Sequence, residues 1–199
     1  MISRLYDATN GEVIVDGINV KDADISNLRS KIGFVPQKGF LFNGTIASNI
    51  TFGSDQVDVE KMKFASDVAC ASEFIEEKEE KYEYKISQGG KNVSGGQRQR
   101  LCIARCVYLS PEIYVFDDSF SALDYKTDKQ VRENLNSLDK DKTKVIVAQR
   151  IGTIMDADKI IVLDEGQIVG LGKHDELIKN CEVYREIALS QLSKEELGL

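Results

Sequence analysis

Residues 113–118, "IYVFDD", set two adjacent acids, Asp117 and Asp118, at the end of an apolar run. Such a run reads as a buried strand, and in open α/β sheets ligands bind outside the carboxyl ends of the strands. A hard carboxylate in that place suits magnesium held through water beside a nucleotide. Alone, the pattern also describes many core strands that end in aspartate. A second pattern is more specific. "SGGQ" (94–97) stands directly before "RQR" (98–100) and a helical run. The backbone N–H groups of Ser94, Gly95 and Gly96 and the helix dipole form an anion site, and glycines let the backbone come close to phosphate oxygens. In isolation such a loop could also do no more than cap a helix.

These residues need a framework, and the rest of the chain supplies one. "GEVIVDGINV" (11–20) predicts a hairpin turning at Asp16-Gly17. "DISNLRSKI" (24–32) predicts a short helix and "IGFVPQ" (32–37) a buried strand ended by Pro36. Residues 58–80 read as one helix, with Val59, Met62, Ala65, Ala69 and Phe74 as its apolar stripe. The charged run "EEKEEKYEYK" (76–85) reads as a solvated face and loop. Three strand-like runs follow, "IYVFD", "KVIVAQ" and "KIIVLDEGQIVGLG", the last turning at Glu165-Gly166, and an amphipathic helical stretch runs from 174 to 199. Strand runs alternating with helices indicate an α/β domain with a largely parallel sheet. At the start, Met1, Ile2 and Leu5 are spaced like the tail of a helix, which suggests an element upstream.

Composition excludes some function classes. The net charge is −7, the wrong sign for a general nucleic-acid binder. No apolar run has the length of a membrane span, and the first residues lack a signal-peptide layout. The four cysteines, Cys70, Cys102, Cys106 and Cys181, match no zinc or CxxC spacing and read as small buried hydrophobes.

The motifs also have an order. "VPQK" (35–38), "SGGQ", "IYVFDD", "SALD" (121–124) and "VIVAQR" (145–150) follow one another in a way that resembles the nucleotide-binding domain of ATP-binding cassette (ABC) transporters across nearly the whole chain. "FLFNGTIASNI" (40–50) further resembles the exporter branch, where this segment faces the coupling helices of the membrane domain. The resemblance implies a P-loop NTPase-like (RecA-like) α/β fold, with a mostly parallel sheet flanked by helices and a partial antiparallel β-subdomain. It implies one domain over 1–199, with 53–107 as an inserted helical subdomain between 1–52 and 108–199. ATP and Mg²⁺ are the implied cofactors. Gln37 matches the Q-loop glutamine, which meets magnesium and relays to the membrane domain. Asp117 matches the magnesium-side acid. Ser94, Gly95, Gly96 and Gln97 match the signature, which binds ATP held by the opposite subunit, and Asp124 matches the D-loop at the dimer interface. "GLGKHDEL" (170–177) resembles the closing segment of the family, with His174 structural. The implied partners are a second ATPase subunit and a transmembrane domain, with no nucleic acid, at the cytoplasmic face of the cell membrane.

Three departures qualify that expectation. No G-x-x-x-x-G-K-[ST] phosphate loop occurs; "GFLFNGT" (39–45) has Thr45 in the lysine place and follows the Q-loop. The chain therefore reads as beginning just after that loop, without the adenine-stacking aromatic, and is expected to bind ATP poorly as it stands. The catalytic base of the family is a glutamate after the Walker B acid, whereas here it is Asp118. Its carboxylate is withdrawn by roughly 1.5 Å, and misplacement of that order costs about 10²-fold in rate. Finally, Gln149 replaces the switch histidine; it can hydrogen-bond a phosphate but cannot shuttle a proton near neutral pH. The expectation is one half of a heterodimeric exporter, with a degenerate site of its own (Asp118, Gln149) and an intact signature for its partner. The alternatives are an inactive pseudo-ATPase or gene fragment that only lends its signature loop, and a chromosome-maintenance ATPase head. The last needs sustained heptads that the sequence lacks.

Overall fold

The computed structural model describes residues 1–138 and 141–197. They form two compact units, Met1–Val147 and Ala148–Leu199.

In the first unit a hairpin of β1 (Ile14–Val15) and β2 (Ile18–Asn19) turns at Asp16 and Gly17, both in the left-handed region at φ +53° and +77°. That pair of conformations is what a two-residue hairpin turn requires. Helix α1 (Ile25–Ser30) starts where the Asp24 carboxylate accepts the Asn27 N–H. It leads into β3 (Ile32–Val35), which pairs in parallel with β6 (Ile113–Asp117). On its other side β6 pairs in parallel with β7 (Thr143–Val147). Tyr114 and Phe116 of β6 are buried in the main core.

Between β3 and β6 the chain forms β4 (Gly44–Thr45), which pairs antiparallel with β5 (Lys85–Ile86), and four helices: α2 (Ile46–Ile50), α3 (Val59–Val68), α4 (Ser72–Glu76) and α5 (Gly95–Leu109). Met62, Ala65, Phe74, Ile75, Leu101 and Ile103 join Val35 and Phe116 in one apolar cluster. Helix α6 (Tyr125–Leu138) covers it through Val131 and Leu135.

The second unit holds α7 (Ile151–Ile154), the antiparallel hairpin β8 (Ile160–Asp164) and β9 (Gln167–Gly172), and helices α8 (His174–Asn180) and α9 (Glu182–Leu189). Its own core includes Ile160, Val162, Leu177, Ile178 and Tyr184. His174 is buried, with Nδ1 2.8 Å from the Tyr184 hydroxyl.

The α/β class with a parallel sheet is therefore as expected. Three local expectations are corrected. Residues 58–80 are not one helix: the chain leaves α3 at Cys70, φ +52°, and Ala71 N–H returns to Ser66 O at 2.7 Å before α4 begins. The opening residues are not helical either. Arg4 adopts φ +49°, outside the helical region, and its guanidinium donates to Val20 O and Lys21 O. The C-terminal stretch breaks at Cys181, whose extended backbone (φ −120°, ψ 108°) separates α8 from α9; residues 198 and 199 of that stretch lie outside the described residues. The four cysteines are free thiols, and burial pushes Cys106 up to about 12.

Candidate functional site

β6 carries Asp117 and Asp118 to one end of the parallel sheet, with Asp117 opposite Val147 of β7. The chain then turns at Asp118, φ +46°, a conformation aspartate tolerates better than most residues. The Asp118 N–H donates to Val147 O at 2.9 Å, and its carbonyl accepts from Ser121 Oγ at 2.8 Å. Beside it the buried Ser119 hydroxyl donates to Val35 O at 2.7 Å and ties this turn to the end of β3. With the backbone so fixed, the reach of the Asp118 carboxylate is set by side-chain length. Asp118 is 9% exposed, and its Oδ2 accepts from Gln37 Nε2 at 3.1 Å. The register of β3 against β6, with Val35 opposite Phe116, delivers Gln37 to that carboxylate.

Ser94 caps α5 reciprocally: its Oγ accepts the Gln97 N–H at 3.1 Å, and Gln97 Oε1 accepts the Ser94 N–H at 3.1 Å. The Gly95 and Gly96 amides belong to the first turn, whose donors a helix does not pair internally, and the dipole of a 15-residue helix favours an anion there. A Cβ on Gly95 would meet nothing within 4 Å, so packing within the chain does not require glycine at this place. A Cβ on Gly96 would lie 3.3 Å from Ala122 O, so the 121–124 turn runs beside the cap. Asp124 caps α6: its Oδ1 accepts the Thr127 N–H at 3.0 Å and its Oδ2 the Thr127 hydroxyl at 2.7 Å. Those bonds hold its carboxyl below the usual range.

Thr45, the residue in the lysine place of the near-match to a phosphate loop, is spent as the N-cap of the five-residue α2, where its hydroxyl accepts the Ser48 N–H. Gln149 belongs to the second unit. Its side chain is exposed and its carbonyl accepts from Gln191 Nε2 at 2.8 Å, while Gln191 Oε1 takes the Ile151 N–H at 2.9 Å. Gln99 escaped the sequence reading. It lies inside "RQR" and looks like a surface polar residue, yet it is 2% exposed. Only the packing of α5 against the loop after β3 reveals it. Among the described residues, no three His, Cys, Asp or Glu side chains group to hold a metal by themselves. Asp117 and Gln37 offer hard oxygens of the kind that share magnesium with phosphate.

One unit thus holds a strand-end acid pair, with Gln37 from beyond β3 bonded to Asp118, and a serine-glycine helix cap. The family model described as ABC transporter matches residues 1–121, and the chain belongs to that family. It is 47% identical over 201 residues to the uncharacterized ABC transporter ATP-binding protein Rv1273c of Mycobacterium tuberculosis, covering 100% of this chain and 34% of that protein. It is 36% identical over 197 residues to ABC transporter B family member 1 of Dictyostelium discoideum, covering 98% of this chain and 22% of that protein. Among solved structures, that of a bacterial Atm1-family ABC exporter with ATP bound superposes with a TM-score of 0.92 at 32% identity, over 95% of this chain and 33% of that one. The chain thus corresponds to the ATP-binding part of exporter-type members, and it spans about a third or less of the length of these relatives. No helix among its described residues is long and apolar enough to cross a membrane.

Proposed function

We propose that the chain is the ATP-binding domain of an ABC exporter in which its own nucleotide site is weakened and its signature loop completes the site of a second, different ATPase subunit. The observation that carries this reading is Asp118. It stands in the general-base position of the family with its backbone bonded to Val147 and Ser121, so nothing in the backbone makes up for the missing methylene. Gln149 is the second departure, in the switch position, and it removes the proton-shuttling imidazole. Asp118 orients water and accepts its proton slowly, by about 10²-fold on reach alone. Asp117 and Gln37 would hold magnesium, which supplies neutralisation of phosphate charge when bound. Ser94, Gly95, Gly96 and Gln97 would cradle the phosphates of ATP held by the partner, with Asp124 across the interface. Residues 53–107 act as the helical subdomain that presents this cradle.

A membrane domain is the other proposed partner, at the cytoplasmic face. The support is the aromatic surface of the segment after the Q-loop: Phe42 stacks on Phe52 with ring centroids 4.4 Å apart, Phe40 meets Phe42 edge-on at 5.4 Å, and all three rings are exposed. The test is ATP turnover of the complete transporter with Asp118→Glu alone and with Gln149→His added. A rise of up to about twofold is expected, because a repaired site can at most match the turnover of the partner's site. Unchanged turnover in both variants would remove the main support for a weakened site.

A further inference from the structure

A buried side-chain amide is retained where both of its ends are bonded. Gln99 lies one turn inside α5, and both ends of its amide are taken by one loop. Nε2 donates to Pro36 O at 3.1 Å, and Oε1 accepts the Gly39 N–H at 3.1 Å. These two backbone groups bracket Gln37, the residue whose own amide reaches Asp118. The fit is close: a Cβ on Gly39 would come within 2.8 Å of Gln99 Oε1 and 2.9 Å of Cys102 Sγ. The next residues on the same helix face continue the grip. Cys102 Sγ donates to Phe40 O at 3.6 Å, and Arg105 donates to Phe40 O at 3.1 Å and to Asn49 O at 2.8 Å. The loop after β3 is therefore fastened along α5 at successive turns, and the first residues of the same helix form the phosphate cap at Ser94, Gly95 and Gly96.

We infer that Gln99 is a positioning residue: it holds the 36–39 loop so that Gln37 stays on the Asp118 carboxylate, and it couples the phosphate cap of α5 to that grip. A helix moves as a rigid rod over one turn, so a shift at Gly95 on phosphate capture arrives at Pro36 and Gly39 through the Gln99 amide. The contact between Gln37 and Asp118 then loosens or tightens with occupancy of the cap. The coupling half of the inference rests on the ATP-binding reading above, whereas the positioning half stands on the chain alone.

The test has two arms. In the chain without nucleotide, the side-chain amide resonance of Gln37 is followed by ¹⁵N NMR. In the otherwise unchanged chain, Asp118→Asn shifts that resonance; in a Gln99→Leu background it no longer does. Gly39→Ala, which wedges the loop from its own side, gives the same insensitivity and serves if Gln99→Leu fails to fold. An Asp118→Asn shift that survives both backgrounds overturns the positioning role. In the complete transporter, Gln99→Leu is expected to lower kcat for ATP about tenfold with KM within about twofold, and Gln37→Ala with Gln99→Leu is expected to be no slower than Gln37→Ala alone. Losses that multiply, or an unaffected kcat, overturn the coupling and leave Gln99 as a local loop tie. A complete transporter with no ATPase activity in its unchanged form would overturn the coupling together with the proposed function, while the NMR arm still decides whether Gln99 positions Gln37.

Discussion

Gly95→Ala separates what the fold needs from what the ligand needs. Gly95 is the first residue of α5, it has an ordinary negative φ, and a Cβ built there has no neighbour within 4 Å. Alanine therefore adds no clash and removes backbone freedom from the unfolded chain, a gain of about 0.5–1 kcal/mol. For a chain of this length that raises Tm by about 1–4 °C, readable by circular dichroism. The same methyl group projects from the cap where phosphate oxygens must come close to the amides. A displacement of about 1 Å there costs about 10²-fold in turnover, readable as ATPase activity of the complete transporter. The signs are opposite, more stable and less active, and the combination marks a glycine kept for an incoming group. If Gly95→Ala were more stable and fully active, the phosphate-cradle reading of Ser94, Gly95 and Gly96 would be refuted.

Two further outcomes follow from burial. Burial raises the Tyr184 hydroxyl to about 12 from an ordinary 10.0. An acid whose folded pKa is raised contributes stability that is present below pH 10 and lost between pH 10 and about 12, so alkaline unfolding followed by tyrosine absorbance should show a loss over that window that Tyr184→Phe removes. Burial likewise raises Cys106 to about 12 and raises Cys102, so alkylation of the folded chain at pH 8 should spare both, and mass spectrometry should find them labelled only after denaturation.

Much of the fold was legible because local chemistry and tertiary packing agree. Asp16-Gly17 is a pair that left-handed turns favour, Glu165-Gly166 supplies the glycine, and both turns form with positive φ. Ser94 and Gln97 have the spacing of a capping box, and that box closes. The strand that ends at Asp117 is apolar because both faces of a parallel sheet are covered. The misreadings come from places where residue type carries no stop signal. Cys70 and Cys181 are ordinary apolar residues, and only the packing of α3 against α4 and of α8 against α9 forces the chain out of helix there. Arg4 stands outside the helical region, and its guanidinium finds carbonyl partners at Val20 and Lys21, far along the sequence. In the site, the motif residues were visible one by one, but the Gln37–Asp118 contact was not, because it joins residues 81 positions apart. Gln99 was hidden for the same reason: its neighbours in sequence are charged, and its burial is decided by Pro36 and Gly39.

The chain is proposed to lend an intact signature while its own base contributes little. The most direct measurement compares steady-state ATP turnover of the complete transporter carrying Ser94→Arg with one carrying Asp118→Asn. The expected result is a fall of about 10²-fold for Ser94→Arg and of at most about tenfold for Asp118→Asn, the loss expected when Gln37 has no carboxylate to hold. Abolition of turnover by Asp118→Asn would contradict it, because Asp118 would then be a full catalytic base.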